Sequence, residues 1–191
     1  MIVRKIILKT FMQTGFYSRV AVLTRGVELY AGRYEIEEGP YLNTVVDLFW
    51  EFCAGRHNSG KWEESLNEAC EALNSPDDVL MLLINDILDL IRLQIGSQPS
   101  LETDRTEAFD FFFSPLRILY YKGIVIWDLD KILEFSRLSL WRKAILGPSW
   151  AYYAGKPFSR KEIVPFISYR LWPELSGRGG ISPSGPISQE H

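Results

Sequence analysis

The chain has 191 residues, 47% of them apolar and 24% charged, a composition that fits one folded globular domain and excludes a disordered or fibrous chain. Its net charge is −3, and its two cysteines cannot form a disulfide framework, so reduced thiols in a cytoplasmic setting are expected. No apolar stretch reaches the roughly 18 residues of a membrane span, and the N-terminal MIVRKIILKTFMQTGF lacks the small-residue cleavage site of an export signal.

Residues 2–9 read as a short strand or as the start of a helix. From Thr14 to Tyr34, Phe16, Val20, Leu23, Val27 and Tyr30 recur at three and four, a helical stripe that Gly15 and Gly26 weaken. Gly39-Pro40 marks a turn, after which Asn43 is the expected cap of a helix burying Val46, Phe49, Trp50 and Cys53. Gly55 suits the left-handed position at its end. Ser59 or Gly60 then opens a helix with an apolar stripe of Trp62, Leu66, Ala69, Cys70 and Leu73. Glu63, Glu64, Glu68 and Glu71 cover its other side.

Ser75-Pro76-Asp77-Asp78 combines an N-cap, a proline at the first helical position and two acids in the first turn. The helix it starts is apolar over most of its circumference, with Asn85, Asp89 and Arg92 as a narrow polar strip and Asp86 beside it. Such a helix is expected at the centre of a bundle. Thr103 or Asp104 caps RTEAFDFFF, and Ser114-Pro115 reads as the start of a separate helix, LRILYYKG. Residues 124–127, IVIW, suit a short strand or a buried linker. Asp128 caps a further helix that Gly147-Pro148 stops. The last helix runs from Ser159 to about Leu171, with Glu162 completing a capping box. The sequence thus predicts an all-α, single-domain bundle of about seven helices over residues 1–173, with at most one N-terminal strand, and a flexible Gly/Ser/Pro-rich tail over 174–191.

Charge is sorted along this chain. Residues 1–34 hold six basic residues and one acid (net +5), residues 35–110 hold four basic residues and seventeen acids (net −13), and residues 111–191 hold eleven and six (net +5). An acidic middle attracts a basic partner and repels phosphate, which disfavours direct nucleic-acid binding. Glu63, Glu64, Glu68 and Glu71 are the candidate partner-binding residues.

Signals for chemistry are weaker. Cys53 and His57, with Cys70 nearby, have the residue types for a metal or a thiol nucleophile, but Gly55 interrupts their helical spacing and no third orienting residue follows. Neither a metal nor a cofactor is expected, and no catalytic residue is assigned. Asp86, Asp89 and Arg92 form the one alternative pocket constellation, a carboxylate pair with a neighbouring cation. Gly177-Arg178-Gly179-Gly180 lies in the tail without the strand and helix of a phosphate loop. The aromatics Phe109, Phe111, Phe112 and Phe113, then Tyr120 and Tyr121, cannot all face inward from one helix.

Residues 16–55 resemble the front half of small all-helical bacterial proteins. Arg25-Gly26-Val27-Glu28-Leu29-Tyr30 lies in an apolar helix, and Val45-Val46-Asp47-Leu48-Phe49-Trp50-Glu51-Phe52 follows, closing with Ala54-Gly55. The style is similar to immunity proteins of polymorphic toxin systems. That resemblance implies a cytoplasmic antitoxin that binds a cognate toxin, and it carries over no functional residue. The expected function is therefore a non-enzymatic binding module that occludes a basic protein toxin such as a nuclease, without nucleic acid or membrane as partner. The alternatives are an enzyme using Asp86 and Asp89, or a phage or plasmid structural or regulatory subunit.

Overall fold

A computed structural model describes residues 5, 7, 14–36, 39–73, 75–96, 103–127, 131–132 and 155–174. In chain order these form α1 (Phe16–Arg33), α2 (Gly39–Cys53), α3 (Gly60–Ala72), α4 (Asp78–Gly96), α5 (Thr103–Tyr121), β1 (Ile124–Trp127), α6 (Arg160–Ile163), a 3-10 turn (Val164–Phe166) and β2 (Ser168–Leu171). The protein is mostly helical, with one two-stranded antiparallel sheet.

The first half of α1 is the most deeply enclosed stretch of helix. Every residue from Ser18 to Thr24 is buried, including the fully buried Arg19, whose guanidinium lies 5.8 Å from the centre of the Phe16 ring. α1 packs against α2, α4, α5 and β1. Gly26, which lowers helix propensity, permits this crowding: a Cβ there would collide with Leu119 of α5 and come within 3.2 Å of the Tyr169 hydroxyl of β2. The central position expected for α4 therefore belongs to α1. α4 turns Leu80, Leu83, Ile84, Ile87 and Ile91 inward while Leu82, Asn85 and Arg92 stay exposed.

α1 and α2 end with the same backbone device but different residues. At the end of α2 the Gly55 N–H donates to Phe52 O and the Arg56 N–H to Glu51 O, with Gly55 at φ +71°. At the end of α1 the Ile36 N–H donates to Ala31 O at 2.9 Å, and the left-handed position is held by Glu35 at φ +51°. A side chain there costs about 1–2 kcal/mol relative to glycine. This turn brings α2 back along α1.

Several caps lie away from where the sequence suggests them. α2 starts at Gly39, four residues before Asn43, because Pro40 is tolerated in a first turn, where its missing N–H has no partner to lose. Ser59 does cap α3, its hydroxyl accepting from the Trp62 N–H at 3.3 Å. For α4 the capping oxygen is Asp77 Oδ1, which accepts from the Leu80 N–H at 2.7 Å, while Ser75 Oγ accepts from the Asp77 N–H. Asp77 also accepts from the Tyr30 hydroxyl at 3.1 Å, so one carboxylate starts α4 and ties it to α1. Burial and the adjacent Asp77 charge push the Tyr30 phenol well up.

Ser114-Pro115 does not start a helix. α5 continues through it, with Pro115 buried, and the two expected helices are one. An interior proline costs about 3 kcal/mol in an isolated helix, and here α5 has extensive packing against α4 to offset it. Among the described residues six helices have defined bounds, where about seven are expected for the chain. Lys5 and Ile7 are helical, in keeping with the helical alternative for residues 2–9, whose other residues lie outside the described ones. Lys131 and Ile132 are helical also; the rest of the helix expected after Asp128, and the tail from residue 175, lie outside the described residues.

The last expected helix lasts a single turn. The Glu162 carboxylate accepts from the Ser159 N–H at 2.6 Å and the Ser159 hydroxyl at 2.8 Å, so the predicted cap is present. Pro165 then shortens the turn to 3-10, and β2 pairs with β1 in the register Ile124↔Leu171, Val125↔Arg170, Ile126↔Tyr169, Trp127↔Ser168. IVIW is thus a strand. Tyr169 reaches through to donate its hydroxyl to Val22 O at 2.8 Å, tying the sheet to α1.

Candidate functional site

Two surface features stand out: the outer face of α3 and a cleft between α1 and α2. On α3, Trp62, Leu66 and Ala69 turn inward and Cys70 is half-buried, which forces Glu63, Glu64, Glu68 and Glu71 outward. All four are exposed, and among the described residues no cation pairs with any of them. From Gly39 to Leu73, α2 and α3 with their connection carry six acids against Arg56 and Lys61, a net of −4. The acidity of the middle segment is therefore displayed rather than neutralised along this hairpin.

The cleft holds about 620 Å³ and is lined by Val27, Ala31, Ile36, Leu42 and Val46, with Glu28, Glu35, Asn43, Asp47 and Arg160 around them. One wall is centred on Glu28, whose side chain is 12% exposed. One carboxylate oxygen accepts from Trp50 Nε1 at 2.8 Å and pairs with Arg160 at 2.9 Å; the other meets Arg25 at 2.7 Å. The Arg160 guanidinium also lies over the Trp50 ring, 5.7 Å from its centre. Sequence reasoning missed this network, as it missed the burial of Arg19. Its members come from α1, α2 and α6, and none stands out from its neighbours in the chain.

The alternative constellation is divided between two surroundings. Asp89 and Arg92 pair at 3.3 Å with side-chain exposures of 43% and 63%, an ordinary surface contact worth little. Asp86 is half-buried against α5, where Ser114 donates to it. Burial raises its pKa to about 6, the Ser114 bond opposes that shift, and the Asp89 charge adds to it. An acid whose pKa is higher folded than unfolded holds its proton longer in the fold. Stability should therefore decline as pH rises from about 4 to about 6 and level off above. Asp86→Asn should remove that slope and, after allowance for solvent screening, gain about 1 kcal/mol at pH 7. Urea unfolding at pH 4, 5, 6 and 7 measures both, and equal slopes in the two proteins would mean that Asp86 titrates normally.

Cys53 and His57 are placed by packing. The Cys53 thiol is buried, donates to Tyr17 O at 3.4 Å, and is pushed well up by burial, which disfavours the thiolate that nucleophilic attack needs. His57 lies among Tyr17, Phe52 and Trp62, with ring centres at 5.9, 4.5 and 5.9 Å. Burial lowers its pKa, and a hydrogen bond to the Phe52 carbonyl opposes this. Burial raises Cys70 to about 11. Among the described residues no group of three His, Cys, Asp or Glu side chains could hold a metal ion, and no helix is long and apolar enough to cross a membrane.

The aromatic run on α5 resolves into two faces. Phe112 is buried, while Phe109 and Phe113 stack at 5.5 Å, half-buried, with Arg117 over the Phe113 ring. Tyr121 is exposed.

No protein-family description, curated protein or solved structure matches the chain.

Proposed function

We propose that the chain is a non-enzymatic protein-binding module, an immunity protein of the cytoplasm that binds a basic cognate toxin, such as a nuclease, and occludes its working cleft. The observation that carries this reading is the row of exposed glutamates on α3, Glu63, Glu64, Glu68 and Glu71, none of which is paired with a cation among the described residues. Unpaired carboxylates on a rigid helix attract Lys and Arg from a distance, raise association rates and exclude phosphate-bearing competitors. A toxin that acts on nucleic acid must itself present a basic cleft, which is the complementary surface.

The test is capture of the tagged chain's partner from its native host at low and high salt, repeated with Glu64→Lys/Glu68→Lys. A single basic protein retained at low salt, associating roughly tenfold more slowly with the variant and with less dependence on salt, supports the reading. Unchanged association rates in the variant would take the interface away from α3.

A further inference from the structure

The cleft between α1 and α2 combines two kinds of lining. Its floor is aliphatic: Val27, Ala31, Leu42 and Val46. At its edge stand Glu35 and Asp47, both exposed and, among the described residues, paired with no cation. Glu28 differs from these two, since Arg25 and Arg160 already meet its charge.

An apolar floor beneath unneutralised carboxylates selects a specific shape of ligand. A long basic side chain lays its methylenes on the floor and leaves its charged head at the rim, where carboxylate oxygens accept from it. An anion is repelled there, and a neutral apolar group gains only from the floor. The chain supplies its own precedent on the adjoining wall, where the Arg160 guanidinium rests over Trp50 and bonds Glu28 at 2.9 Å. At about 620 Å³ the space is that of a ligand site rather than of a single ion. Asp47 is carried by α2, which packs directly against the glutamate-bearing α3, so one basic surface can meet both helices.

We infer that this cleft is the socket for an arginine or lysine side chain projecting from the basic partner. This inference rests on the partner reading above and adds to it a defined seat away from the α3 face.

The experiment titrates the full chain with Nα-acetyl-arginine methylamide, followed by amide shifts in 1H–15N spectra, with Nα-acetyl-norleucine methylamide as the uncharged stem. Saturable shifts at Gly32 and Val46 are expected with the arginine derivative. Binding should be at least about fivefold weaker for norleucine and for the near-isosteric Glu35→Gln/Asp47→Asn variant, an effect of the size expected for a partly solvated charge contact. Asp47→Lys, a single exposed substitution, should abolish the shifts. Equal binding of norleucine, or undiminished arginine binding by the double variant, overturns the inference.

The partner experiment separates the two levels. A salt-sensitive basic partner that binds the Glu35→Gln/Asp47→Asn variant as tightly as the unaltered chain overturns the socket and leaves the partner reading standing. Absence of any such partner overturns that reading, and with it a partner side chain as the occupant, whatever the titration shows.

Discussion

Phe52→Ala should lower the stability of the fold by about 3–5 kcal/mol, the loss typical of a large buried aromatic. Phe52 is fully buried, and its ring is 6.5 Å from Phe16, 5.4 Å from Tyr17, 4.5 Å from His57 and 6.0 Å from Trp62. It therefore joins α1, α2, α3 and the loop between α2 and α3 at a single point. Deleting the ring removes its transfer energy and leaves a cavity bounded by side chains from α1, from α3 and from the loop between α2 and α3, which cannot all close together. For a chain of this size the melting temperature should fall by at least about 6 °C. Urea unfolding gives the energy, and near-ultraviolet circular dichroism reports the loosened rings. A loss under about 1 kcal/mol would show that His57 or Trp62 refills the space.

Gly123→Ala should be comparably severe for a different reason. Gly123 sits in the turn between α5 and β1 at φ +71°, and a Cβ would run into the carbonyl oxygens of Trp172 and Pro173. These are main-chain atoms, and the Trp172 N–H is itself bonded to Gly123 O at 2.7 Å, so the neighbour cannot withdraw without giving up that bond. The left-handed backbone alone costs about 1–2 kcal/mol, and the forced displacement adds about 1–3 kcal/mol. Gly39 provides the control: its φ is +61° with open space around it, so Gly39→Ala should show the backbone cost alone. Equal losses in the two variants would mean that the β1–β2 end shifts freely. Lys122, beside Gly123, pairs with Glu174 at 2.7 Å, and the two substitutions should differ in how far they disturb that contact.

What the sequence discloses is mostly what depends on residues close together. The apolar stripe of α3, the Ser59 cap, the glycine ending α2 and the Ser159–Glu162 box each involve neighbours within one or two turns. Errors arise where a distant contact outweighs a local signal. Ser114-Pro115 has the form of a helix start, yet Ser114 is turned to Asp86 of α4 and the proline is buried in a helix that packing holds together. Residues 168–171 follow a well-capped helical turn, yet they pair with a strand more than forty residues earlier. The candidate site divides in the same way. The glutamates of α3 are visible from helical spacing alone. The Glu28 network and the cleft beside it require α1, α2 and α6 to be assembled first, and no periodicity announces that Arg160 will meet Glu28.

The pairing of β1 with β2 also fixes an order of events during synthesis. α2 and α3 are adjacent helices joined by a short connection, so they can associate while the chain is still growing. The covering of α1 cannot be completed on that schedule, because Tyr169, which bonds Val22 O, and the strand that aligns it emerge only after β1 has waited for the whole intervening stretch. A nascent chain halted before residue 168 would thus display the acidic hairpin while one flank of its central helix stayed open, and would remain a client for chaperones until β2 arrived.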